Sequence, residues 1–103
     1  MLVHNVYFSL KDRSAESVDR QVRACHTLLT GHPGIEFLAV GVLAAELQRE
    51  VNDLDFDVAL HMIFADKAAH DRYQVSESHQ NFIAQNKEHW RQVRVFDSYA
   101  AKS

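Results

Sequence analysis

Leu2, His4, Val6 and Phe8 fall on one side of an extended chain and Val3, Asn5 and Tyr7 on the other, so Leu2 to Phe8 reads as a strand with apolar bulk on both faces. The period then changes. Val18, Val22, Cys25 and Leu29 recur at helical spacing, while Arg13, Asp19, Arg20 and Arg23 take the wetter side. This predicts a helix from an N-cap at Ser14 to about Thr30, stopped by Gly31-His32-Pro33-Gly34. Ile35 to Leu43, rich in Val, Leu and Phe, is a second strand. Ala44 to Asp53 has helix-forming residues but only a weak apolar period, and reads as an excursion with room for one helical turn.

The clearest strand is Phe56 to Phe64, where Phe56, Val58, Leu60, Met62 and Phe64 alternate with Asp57, Ala59, His61 and Ile63. Asp66 caps a short helix to about Tyr73, Ser76 or Ser78 restarts it toward Trp90, and Val93 to Tyr99 is the last strand before a frayed tail. The order βαββαβ predicts an α+β, ferredoxin-like fold: a four-stranded antiparallel sheet with helices on one face. Val3, Tyr7, Ala59 and Ile63 then leave an apolar bare face. Large apolar patches are uncommon on monomers, so the expected partner is a second copy, the two sheets packing face to face as a dimeric α+β barrel.

Composition narrows the picture. A chain of 103 residues suffices for one core and not two, so residues 1–103 are one domain with its core at about 2–99. The net charge of -3 with dispersed Lys and Arg argues against nucleic acid. No stretch reaches the roughly 20 apolar residues that cross a bilayer, so no membrane is expected either. The amino terminus MLVHNVYFSL lacks the basic start and unbroken apolar run of a signal peptide. Cys25, the only cysteine, sits in an apolar helical pattern and reads as a small buried hydrophobe, not a nucleophile. A cytoplasmic location is the expectation.

Several segments together resemble one family. They are the opening strand LVHNVYF, the HPGI turn, the DVALHMIF strand, the YQVSESHQNF segment and the closing VRVFDSY. In that order, over about Leu2 to Tyr99, they are similar to the stress-responsive A/B barrel (Dabb) domain family of the dimeric α+β barrel superfamily. One departure is local: where the family has His-Pro-x-His before the aromatic, this chain has Ser76-Glu77-Ser78-His79. The resemblance implies the barrel-forming homodimer. One plant branch of the family cyclises linear polyketides by aldol condensation without metal or organic cofactor. It uses a histidine on the first strand, another on the broken helix, and pocket tyrosines. By resemblance His4, His79 and Tyr73 take three of those positions, whereas Cys25 stands where the first helix carries the other tyrosine.

An imidazole exchanges protons near neutral pH with little tuning. An aldol cyclisation needs a base for a proton alpha to a carbonyl and a donor for the accepting oxygen. The catalytic candidates are therefore His79 as base, His4 orienting it or binding substrate, and Tyr73 as donor. The bland reading makes His79 a bridge across the helix break, His4 a satisfied core histidine and Tyr73 a core residue with its hydroxyl at the rim. His61 belongs to the opposite face, at the expected interface. His26, His32, His70 and His89 read as solvated or rim positions, and Trp90 as the core anchor of a final helix. With no His-x₃-His pair and no Cys/His quartet, neither metal nor cofactor is expected, and His4, His79 and Glu77 lack a ligand spacing.

The leading function is thus a small-molecule-binding protein and cofactor-independent lyase or cyclase, with an apolar or aromatic ligand held between sheet and helices. The alternatives are a non-catalytic stress-responsive or structural dimer, and a cofactor-free monooxygenase of aromatic substrates. An apolar cavity holding His4, Tyr73 and His79 favours the first over the second.

Overall fold

Alternation builds the sheet, whose middle is β1 (Leu2–Leu10). It pairs with β3 (Val58–Phe64) and β4 (Trp90–Tyr99), and β2 (Ile35–Val42) closes the far edge, giving the antiparallel order β2-β3-β1-β4. The computed structural model describes residues 1–103. Helices α1 (Ala15–Leu29), α2 (Lys67–Gln74) and α3 (Glu77–Asn86), with a 3₁₀ turn at Lys87–His89, complete the expected ferredoxin-like fold. Ser14, Asp66 and Ser76 each cap a helix, accepting the backbone N–H of Ser17, Ala69 and His79.

The core lies between the helices and one sheet face. Leu2, Val6, Phe8 and Leu10 of β1 and Val58, Leu60, Met62 and Phe64 of β3 are buried with Cys25, Leu29, Ala69, Tyr73 and Phe82 from the helices. Each large apolar side chain so buried contributes about 1.5–3 kcal/mol. The buried stripe of α1 is Ser17, Gln21, Cys25 and Leu29, so Val18 and Val22 sit on its shoulder. Gln21 is tolerated there because its carboxamide is paired: its oxygen accepts from Trp90 Nε1 at 2.9 Å, and its nitrogen donates to Cys25 Sγ at 3.8 Å. Trp90 opens β4 and does not end a helix, contrary to the sequence expectation, although it remains an anchor, 5.2 Å from Phe8 and 5.8 Å from Phe82.

Two other expectations need correction. Phe56 is not on the inner face with Val58 and Leu60, because the strand starts only at Val58. Buried Asp57 pins the chain first: its N–H donates to the Phe8 carbonyl, and its carboxylate accepts from Leu10 N–H and Arg13 Nε. That anchor breaks the alternation, and Phe56 instead meets Tyr7 at 5.0 Å on the outer face. The segment from Ala44 to Asp53 forms turns and no helix. It is stitched down nearby by Arg94–Asp53, by Arg91–Asp55, and by Ser9 Oγ donating to the Asp55 carbonyl.

Gly34 closes the turn after α1 with φ of +88°, a conformation glycine adopts without penalty. A Cβ there would lie 2.4 Å from the Ala69 Cβ of α2. The outer face keeps its apolar character: Tyr7, Phe56 and Phe96 cluster, and Phe37 and Phe96 are each about half exposed. His61 is on this face, with Nδ1 2.8 Å from Asn5 Oδ1. No helix is long and apolar enough to cross a membrane.

Candidate functional site

Strand register creates the first half of the site. His4 occupies the inner face of β1, 5% exposed, and the register sets Asp97 of β4 opposite it. His4 Nδ1 and Asp97 Oδ1 are 2.5 Å apart. A carboxylate only accepts, so His4 Nδ1–H donates and the neutral ring keeps its Nε2 lone pair. Burial is the largest influence on His4 and lowers its pKa from the ordinary 6.5; the hydrogen bond and charge of Asp97 work against that, and His70 works with it.

The broken helix supplies the second half. Ser76 joins the two pieces, donating from N–H and Oγ to the Tyr73 carbonyl while accepting from His79 N–H. The break thereby brings Tyr73 and His79 edge to face, ring centroids 4.7 Å apart. Tyr73 also stands 6.3 Å from His4, whose side-chain hydrogen bond goes to Asp97 and not to His79, so His4 does not orient His79 by a direct hydrogen bond. His79 Nδ1 is buried without a hydrogen-bond partner. Burial lowers the His79 pKa, the Gln74 backbone opposes this, and the neighbouring imidazoles of His4, His32 and His70 add to it. Burial pushes the Tyr73 hydroxyl far above its ordinary range, so it stays a neutral donor.

The two halves face one cavity of about 260 Å³ between sheet and helices. Nine of its 14 lining residues are hydrophobic, among them Phe8, Phe82, Trp90 and Val95, and the others include His4, His79 and Asp97. Tyr73 is in the wall as well. The cavity therefore gathers the three sequence candidates. It also takes in two residues that the sequence reading passed over. His70 lies 5.1 Å from His4, and its spacing of three residues from Tyr73 puts both on one face of α2, a signal that was available. Asp97 shares its strand face with Val93 and Val95, a carboxylate in an otherwise apolar alternation. His32, also expected to be idle, meets Ser78 Oγ at 2.8 Å and the Tyr73 ring at 5.1 Å. His26 and His89 do not line the cavity. Cys25 is wholly buried and its thiol is pushed up to about 11, which makes it inert packing.

This arrangement offers an imidazole with a free nitrogen, a carboxylate-paired imidazole and a protonated phenol around an apolar space. Proton transfer on a small, mainly apolar molecule is within its means.

The sequence profile of the stress responsive A/B barrel domain matches residues 2–100. No curated protein matches the chain. Among solved structures, a Dabb family protein with a ferredoxin-like fold from Mesorhizobium loti is 21% identical, with a TM-score of 0.78 over 98% of this chain and 97% of that one. A dimeric ferredoxin-like protein from Thermobifida fusca is 15% identical, with a TM-score of 0.77 over 96% of this chain and 90% of that one. The hydroxynitrile lyase from Passiflora edulis is 17% identical, with a TM-score of 0.77 over 99% and 94%. At these identities the likeness establishes the fold.

Proposed function

Because this chain belongs to the stress responsive A/B barrel domain family, we propose that it is a homodimeric, cofactor-independent lyase or cyclase acting on a small apolar or aromatic carbonyl compound. The observation that carries this reading is the apolar cavity that gathers His4, Tyr73 and His79, with Tyr73 edge to face against both imidazoles. The lyase neighbour from Passiflora edulis agrees with this reading at the level of fold.

His79, through Nε2, removes a proton alpha to a carbonyl, and Tyr73 O–H donates to the oxygen on which enolate charge develops. The carbanion closes on a second carbonyl of the same molecule, forming the carbon–carbon bond. The resulting alkoxide then takes the proton back from His79, so the site returns to its starting state. His4, its Nδ1–H committed to Asp97, uses Nε2 to accept from a substrate hydroxyl and fix the pose.

The test needs no natural substrate. Aryl methyl ketones incubated in D₂O exchange their alpha protons if a base acts on them, and NMR reads the rate. Wild-type protein is expected to accelerate exchange, with an acid limb at an apparent pKa below 6.5, because burial has lowered the His79 pKa. The rate falls as pH drops through that limb and the base is protonated. No acceleration across a panel of such ketones would leave the non-catalytic dimer as the better account.

The dimer is proposed through the outer sheet face, where Tyr7, Phe56 and Phe96 cluster and Ile63 lies. Dimeric assembly of a structural neighbour supports it. Ile63→Glu sets a charge against the partner's same face, and sedimentation is expected to find monomer or aggregate in place of dimer. A variant that sediments as a clean dimer counts against this interface.

A further inference from the structure

We infer that His4, His70 and Asp97 form a binding site for a divalent transition-metal ion of the zinc type. The three residues come from β1, α2 and β4, and one donor atom from each lies within 4.8 Å of the others. Zinc holds nitrogen and oxygen ligands at about 2.0–2.2 Å, so tetrahedral ligands stand roughly 3.3 Å from one another. A pair at that limit closes by roughly 1.5 Å, and the ion displaces the proton between His4 Nδ1 and Asp97 Oδ1, now 2.5 Å apart, as that pair opens to ligand spacing. The hydrogen bond that His70 would give up is to the exposed Asp71 at 3.1 Å.

Charge and donor chemistry favour a cation of this class. Asp97 is the one carboxylate among the cavity's lining residues, and no Lys or Arg is among them. Lys67 shares a smaller neighbouring cavity with His70 and Asp97 but is paired with Asp71 at 2.6 Å. Two imidazoles with one carboxylate suit zinc, cobalt or nickel, whereas magnesium and calcium prefer all-oxygen sites. Three protein ligands beside a cavity leave a coordination position for an exchangeable ligand, unlike a closed structural site. Because the donors are 66, 27 and 93 positions apart in pairs, no ligand-spacing motif announces them.

This inference goes beyond the proton-transfer reading, because an ion at His4 and a free His4 are alternatives for the same donors. A seated ion takes from that route the His4 nitrogen that fixes the substrate pose, and leaves His79 and Tyr73 untouched.

Protein stripped with a chelator and titrated with zinc sulfate in a calorimeter tests the site, with cobalt(II) as an optical probe of its geometry. One ion per chain is expected. Replacing a true ligand removes more than the 10–100-fold that loss of an outer partner costs. His70→Ala and Asp97→Asn are therefore each expected to weaken binding by more than about 100-fold, while His61→Ala, on the opposite face, leaves it unchanged. Circular dichroism confirms that each variant is folded. Absence of zinc binding by the wild type overturns the inference, as does full affinity in folded His70→Ala or Asp97→Asn. The deuterium exchange assay, run with chelator present, fails or succeeds separately, so loss of one reading is not loss of the other.

Discussion

Gly34→Ala is expected to destabilise the protein by about 2–5 kcal/mol. The φ of +88° costs an L side chain about 1–2 kcal/mol. The added Cβ would also meet Ala69 Cβ at 2.4 Å, an overlap that forces α2 away from the turn at a further cost of about 1–3 kcal/mol. The expected sum of about 2–5 kcal/mol is a large share of a small domain's total stability of about 5–15 kcal/mol. Urea unfolding measures it. Gly31→Ala is the control, since its φ is similarly positive at +83° and a Cβ there touches nothing. If both variants lose the same stability, contact with α2 is not what Gly34 provides.

His79→Ala carries the largest expected loss of activity. A positioned general base contributes about 10²–10⁴ in rate, so ketone exchange should fall by that factor. The imidazole is only partly buried, and its Nδ1 forms no protein hydrogen bond, so little packing goes with it. The melting temperature is expected to shift by less than about 8 °C, equivalent to about 1 kcal/mol for a domain of this size. Collapse of the fold, or exchange at the wild-type rate, returns His79 to the role of a bridge across the helix break.

The elements that local chemistry specifies were legible in the sequence. Ser14, Asp66 and the Ser76–Ser78 pair announce helix starts, and alternation in β1 and β3 separates inner from outer face correctly from Val58 onward. What escaped was set at a distance. Asp57 is pinned by Leu10 and Arg13, which re-aims Phe56, and nothing within its own segment records those partners. Gln21 looks misplaced on a buried stripe until Trp90, 69 residues away, is seen to donate to it. Asp97 is a lone carboxylate until register sets it across from His4, and that register shifts at an irregularity between Ser9 and Leu10. His70 is the exception, since its helical spacing from Tyr73 was in plain view. As for the site, the three candidates were legible as neighbours, but not the order in which they stand or the carboxylate that holds one of them.

The site's two halves have different mechanical origins, and heat should distinguish them. His4 is on β1, an inner strand laddered on both sides and so in the part of the fold that opens last, and Asp97 is tied to it by the ladder between β1 and the edge strand β4. Tyr73 and His79 ride on helices of eight and ten residues, too short to persist by themselves. Warming should therefore loosen the phenol and its neighbouring imidazole while the carboxylate-bound one still holds its place, and amide exchange from Val75 to His79 would report the first breath of the molecule.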